Sequence, residues 1–344
     1  MRVPRRLVAA VVLLAVSAAG ITPAAAAGPL ADFQAQLAAY SLRAPGHVAI
    51  AVQDVATGLS TGINPGAEMP AASTIKIPVM VEVFRQLVNG DFDLNTHVTL
   101  RQSDKDWGYG DLCDARVGSS YTVARLLSLM IDVSDNTATN MLIRLVGRQH
   151  INTTMAELGL THTRLSDFIR SEGSSIRWAL RSSPADMAHL LRSMARDQLV
   201  DEWSSREMIA ILRDQKHNGL IPEPLPAGTA IAHKTGTLHD TLNDVGIVYG
   251  AGDDPYVIAV MTTDLPTLDA GRRFIRGVSK MAYTALNQLA SVRGDDLWSS
   301  QLHSVTPSRT TTPDQQMWTP QNVPATASEP EPAQPVATVA PSPN

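Results

Sequence analysis

The chain has 344 residues, 44% hydrophobic and 18% charged, with a formal net charge of -5. That length supplies one large core or two modest ones, and a slightly acidic balance without a basic stripe argues against a nucleic-acid partner. Aromatic residues make up 5% and give no base- or sugar-stacking platform, while the single cysteine, Cys113, excludes an intrachain disulfide and reads as a small buried side chain.

Arg2, Arg5 and Arg6 precede an apolar run from Leu7 to Ile21, and Ala24 to Ala27 offer a small-residue cleavage site. This pattern is an export signal over residues 1–27; the apolar run is shorter than the roughly 20 residues a membrane span needs. The mature protein is therefore expected to be secreted. A globular domain is expected over 28–297. Val48 to Val52 reads as a buried strand closed by a turn at Thr57-Gly58. Helices are predicted over Thr74 to Leu87, Val123 to Ile131, Thr137 to Val146, Pro184 to Met194 and Gly271 to Leu289. In the second of these, Leu126, Leu127, Met130 and Ile131 recur at helical spacing, and Ser183 before Pro184 is a good cap for the fourth.

Near the end of the domain, Thr229 to Ala232, Val245 to Tyr249 and Tyr256 to Met261 read as three consecutive antiparallel strands. Strands at both ends with helices between predict one sheet completed by the two termini, with a helical subdomain inserted. Residues 298–344 turn to Pro, Thr, Ser and Ala, and such a segment buries too little apolar surface to offset its ordering entropy. It is expected to be a disordered tail, either simply solvated or in contact with a cell wall.

Three short motifs carry chemistry. Ser73-Thr74-Ile75-Lys76 opens the first strong helix, and residues three apart share a helix face, so the lysine amine can reach the serine hydroxyl. A serine is a poor nucleophile until a base takes its proton, which a lysine of depressed pKa does. The same four residues also suit a helix cap followed by a surface lysine, but the apolar run Ile75, Ile77, Val79, Met80 and Val83 buries this helix. Ser134-Asp135-Asn136 sits in a short loop. There Ser134 and Asn136 point together as hydroxyl relay and amide clamp while Asp135 turns away to backbone donors; an Asx turn capping the next helix fits the same residues. Lys234-Thr235-Gly236-Thr237 ends a strand pattern. Lys234 supplies charge, Thr235 a hydroxyl for a carboxylate, and Gly236 lets a substrate amide approach the backbone.

Taken in this order, with gaps of 61 and 100 residues between Ser73, Ser134 and Lys234, the motifs resemble those of the serine β-lactamases and penicillin-binding proteins, in the compact class A arrangement. The resemblance runs from about Leu30 to Leu289 and includes Thr163-Arg164-Leu165. It implies an α/β (α+β) fold of β-lactamase/transpeptidase type, a five-stranded antiparallel sheet with a helical subdomain and the active site between them. Ser73 would be acylated and Lys76 would be the base or part of the base relay. Ser134 would pass the proton to the leaving nitrogen and Asn136 would hold the substrate's side-chain amide. Lys234 and Thr235 would hold its carboxylate, and the backbone N–H groups of Ser73 and Thr237 would form the oxyanion hole. Tyr109 would wall the cleft. No cofactor and no metal is expected, since His233 and His239 fit no ligand pattern. A small β-lactam or peptidoglycan-like substrate and a monomeric state are expected.

The chain also departs from that pattern. Counting from Thr163, the glutamate with which class A enzymes activate the deacylating water falls at Ile169, leaving Glu172 and Asp167 as substitutes or as solvated loop charges. Asp244 stands where some class A enzymes place a carboxylate-binding arginine, with Arg272, Arg273 and Arg276 as replacements. The acylation set is thus complete and the deacylation base is open. The expected activity is opening of a β-lactam through acyl-Ser73; the alternatives are a D,D-peptidase or esterase on cell-wall-like substrates, or a binder that does not turn over.

Overall fold

The computed structural model describes residues 23–171, 176–250 and 254–300. The expected tail beyond residue 300, most of the expected export signal, and Glu172 lie outside the described residues. Helix α1 (Pro23–Ser41) leads into strands β1 (His47–Asp54) and β2 (Ser60–Ile63). The helical half follows, with α2 (Lys76–Val88), α3 (Val123–Asp132), α4 (Asn136–Val146), α5 (Arg148–Glu157), α6 (Pro184–Ala195) and α7 (Glu202–Arg213). The chain then returns through β3 (Ile231–Thr237), β4 (Leu242–Tyr249) and β5 (Pro255–Thr263) to the long helix α8 (Leu268–Ser300).

The five strands form one sheet in the order β2-β1-β5-β4-β3, and every neighbouring pair is antiparallel. The two ends of the domain meet where β1 pairs with β5, Ala51 facing Ala259. Successive side chains on a strand point to opposite faces, and both faces are covered. Ala49 and Ala51 of β1 join the core against the helical half, while Ile50 and Val52 join the core under α1 and α8. That burial on two sides explains why the strands read as continuous apolar runs instead of alternating ones.

The predicted helices agree with α2, α3, α4, α6 and α8 to within a few residues at most ends, although α8 runs on to Ser300 and α2 is preceded by a 3-10 turn at Ala72–Ile75. Ser183 caps α6 by accepting from the Asp186 N–H at 3.1 Å. Of these eight helices, three carry no prediction, as does a single helical turn at Ile176–Ala179. α1 begins at Pro23, within the segment expected to be cleaved, and presents Phe33 and Leu37 to α8 from an otherwise small-residue sequence. α5 buries only Ile151, Thr154 and Met155, and α7 has a largely polar sequence capped by Asp201. In both, the apolar stripe is too thin to stand out. The Lys234 motif, read as ending a strand, forms the last four residues of β3, and all of Ile231–Thr237 pairs with β4.

Candidate active site

Ser73 lies on the 3-10 turn that runs into α2, just after Ala72, whose φ of 48° is in the left-handed region. It is half-buried and lines a cleft of about 290 Å³, together with Tyr109, Ser134, Thr235, Thr237 and Arg272. Lys76 is fully buried one turn further on. Its ammonium reaches across to the turn before α4, donating to the Ser134 carbonyl at 2.6 Å, the Ser134 Oγ at 3.0 Å and the Asn136 Oδ1 at 2.8 Å. Lys76 therefore bridges the nucleophile's helix to the second motif and places its amine on the Ser134 hydroxyl.

The second motif is held in an uncommon backbone conformation. Ser134 has φ 61°, sparsely populated for a residue with a Cβ. Asp135 turns away from the cleft, and its carboxylate accepts from the Ala138 N–H at 2.7 Å and the Leu112 N–H at 2.9 Å, capping α4 and fastening the preceding loop. With Asp135 so engaged, the side chains on either side of it, Ser134 and Asn136, both meet Lys76. The Asx turn capping α4 and the convergence of Ser134 and Asn136 are thus both present.

The third motif lies on β3, an edge strand whose outer backbone edge has no neighbouring strand among the described residues. Gly236 is what permits β3 to lie against the nucleophile: a Cβ there would stand 2.9 Å from the Ala71 carbonyl oxygen and 3.1 Å from the Ser73 nitrogen. From β4, Asn243 donates to the carbonyl oxygens of Pro70 and Ala71 at 2.8 and 3.1 Å, tying the sheet to the chain entering the nucleophile turn. Sequence reading missed Asn243, whose role depends wholly on β4 lying beside that turn.

Burial lowers the affinity of both lysines for a proton. Burial holds Lys76 well below the usual lysine value and Lys234 adds to this, with Asp135 and Asp106 opposing. Burial brings Lys234 down to about 7, against the pull of Asp244 and Asp132. A lysine that is readily neutral can take a proton from a hydroxyl; one poised near neutrality can still present a cation to an anionic ligand.

The departures sort out as follows. Ile169 is buried in the core, and Asn140 of α4 grips its backbone on both sides, accepting from its N–H at 2.8 Å and donating to its carbonyl at 3.0 Å. Asp167 is exposed and faces Arg148 at 3.8 Å, a solvated loop charge. Asp244 is buried, accepting from the Ile221 N–H at 2.9 Å and pairing with His233 Nδ1 at 2.9 Å. His233 and Lys234 alternate along β3, so the histidine lies on the α8 side of the sheet. Of the three arginines, Arg272 lines the cleft, whereas Arg276 is spent on the Gly219 carbonyl at 2.9 Å and Glu223 at 3.3 Å. Cys113 is buried beside the Gly110 carbonyl, and burial pushes its thiol up. A larger hollow of about 450 Å³ beside α7, lined by Arg206, Arg213 and Tyr249, holds none of the motif residues. Among the described residues, no group of three His, Cys, Asp or Glu side chains is placed to hold a metal ion.

Known proteins share this fold. A family model described as the beta-lactamase enzyme family covers residues 32–286. The solved structure of PBP-A is 30% identical over 75% of this chain and 97% of its own, with a TM-score of 0.71. A mutant of PBP-A, solved as an acyl-enzyme complex with penicillin G, gives the same figures of 30%, 75%, 97% and 0.71. A beta-lactamase from Sphaerobacter thermophilus DSM 20745 is 30% identical over 77% of this chain and 97% of its own, with a TM-score of 0.66.

Proposed function

We propose that this chain, which belongs to the beta-lactamase enzyme family and is a serine hydrolase of the class A type, opens a β-lactam amide by acylation of Ser73 and releases the product slowly. The observation that carries the first half is the three-way bond of the buried Lys76 amine to Ser134 and Asn136. Neutral Lys76 takes the Ser73 proton as the hydroxyl oxygen bonds to the lactam carbonyl carbon. The backbone N–H groups of Ser73 and Thr237 receive the oxyanion, a preorganised electrostatic contribution worth several kcal/mol, about 3–4 per donor. When the carbon–nitrogen bond breaks, the proton passes from Lys76 through the Ser134 hydroxyl, 3.0 Å away, to the leaving nitrogen. Asn136 holds the substrate's side-chain amide. Lys234, Thr235 and the cleft-lining Arg272 hold its carboxylate.

The second half rests on Ile169. At the place where the class A pattern has a glutamate, this chain buries an apolar side chain, which takes no proton from water. That favours a long-lived acyl-enzyme, the behaviour of a D,D-peptidase or of a binder, over fast hydrolysis. The export signal read over residues 1–27 supports placing the reaction outside the cytoplasm, where peptidoglycan-like substrates are found.

Incubation of the protein with a chromogenic cephalosporin, following colour and protein mass together, tests both halves. A burst of one equivalent, a mass increase on Ser73 and a slow steady rate are expected. Rapid turnover with no accumulating adduct would overturn the slow-release reading, and neither colour nor adduct from folded protein would overturn acylation itself.

A further inference from the structure

Asp106 belongs to none of the three motifs, yet it is a buried carboxylate one amide away from the Lys76 amine. Its Oδ1 accepts from Asn136 Nδ2 at 2.7 Å, from the Ser171 Oγ at 2.6 Å and from the Gly108 N–H at 3.0 Å. Its Oδ2 accepts from the Ser171 N–H at 2.7 Å. We propose that Asp106 is a positioning residue that fixes the amide of Asn136 for substrate and pins the loop carrying Ile169 to the acylation centre. This inference rests on the acylation reading above.

The first part follows from what each group can donate. A carboxylate only accepts and an ammonium only donates. Asn136 stands between the two, so its NH₂ must face Asp106 and its oxygen must face Lys76. The amide has no second orientation while both charges are present. One N–H then goes to Asp106, and the other remains for a substrate carbonyl. Thr137 holds Asp106 in place through its hydroxyl, which accepts from the Asp106 N–H at 3.1 Å and donates to the Asp106 carbonyl at 3.2 Å.

The second part follows from the loop's proximity. A Cβ on Gly108 would lie 2.5 Å from the Ser171 Cβ and 3.1 Å from Asn136 Nδ2, so the loop sits directly against the clamp. The same bonds weaken the Asp106 carboxylate as a proton acceptor. Burial pushes the Asp106 carboxyl up, but the bonds from Ser171, Asn136 and Gly108 outweigh it and leave the group below its ordinary value.

Asp106→Ala tests the assignment, because it removes both acceptor oxygens and leaves the Asn136 amide and Ser171 without their shared partner. The readout is the acylation rate of Ser73 by benzylpenicillin, which carries a side-chain amide, against 6-aminopenicillanic acid, which lacks one. The expected result is a loss of about tenfold or more with benzylpenicillin and a much smaller loss with 6-aminopenicillanic acid. Ser171→Ala, an exposed position whose backbone bond to Asp106 survives, is expected to give a selective loss of a few-fold in the same direction, and it decides the matter if Asp106→Ala does not fold. Equal losses for the two substrates, or none, would overturn the positioning role alone. Failure of the wild-type protein to acylate with either would overturn the acylation reading and this inference with it.

Discussion

Lys76 and Lys234 are both buried ammonium groups, and their neighbours give them different work. Lys76 faces hydroxyl, carbonyl and amide oxygens and is held well below its ordinary pKa by burial and by Lys234, so its neutral form is accessible for proton transfer. Lys234 donates to the Thr235 carbonyl at 3.1 Å and is brought down to about 7 by burial. The sign of its effect is fixed: below that pH the free enzyme carries the cation, and above it the cation is lost. Binding of a carboxylate-bearing β-lactam should therefore weaken as pH rises through 7, approaching about tenfold per pH unit well above it if only the cation binds. Inhibition or KM measurements between pH 6 and 9, compared with a neutral ester of the same compound, check this. A pH dependence shared equally by the ester would remove Lys234 from carboxylate binding.

At the level of elements, the site is made where the edge strand β3 meets the 3-10 turn before α2. That contact needs a residue without a side chain at Gly236, since a methyl group would press on the Ala71 carbonyl and the Ser73 nitrogen. Gly236→Ala should push β3 away from the nucleophile and spoil the oxyanion geometry, cutting acylation by about 10²-fold. The strand keeps its pairing to β4 on the other side, so circular dichroism should report an unchanged fold. Acylation close to wild type would show that the turn yields and that the close approach is not required. The turn between α3 and α4 shows the same logic. Asp135 takes the backbone donors of two segments, and Ser134 accepts a left-handed φ, so that the hydroxyl and the neighbouring amide both reach Lys76.

For the molecule as a whole, the sheet separates two cores, and the far one reaches the cleft through Leu220 and Leu242. The far core is closed by α1 against α8, with Phe33 and Leu37 buried and Tyr40 stacked on Phe274 at 5.1 Å between ring centroids. Phe33→Ala should lower unfolding stability by about 3–5 kcal/mol, the usual range for a buried phenylalanine, while acylation of the still-folded protein stays unchanged. Urea unfolding measured alongside the acylation rate separates the two effects; a shift below about 1 kcal/mol would mean that α1 is dispensable to the core. The three motifs of the candidate site were legible in the amino-acid sequence because each is local: Ser73 and Lys76 sit a helical turn apart, Ser134 and Asn136 share one short loop, and Lys234 to Thr237 lie on one strand. The main strands and most helices were legible for a related reason, since apolar runs and 3.6-residue stripes record which segments are buried. Only the tertiary structure decided that Lys76 turns to Ser134, that Arg272 and not Arg276 faces the cleft, and that Asp106 and Asn243 brace the site. Those partners lie from tens of residues to more than 170 apart in the chain. Periodicity tells which face of an element is buried, but the partner on the other side is chosen only when the elements pack.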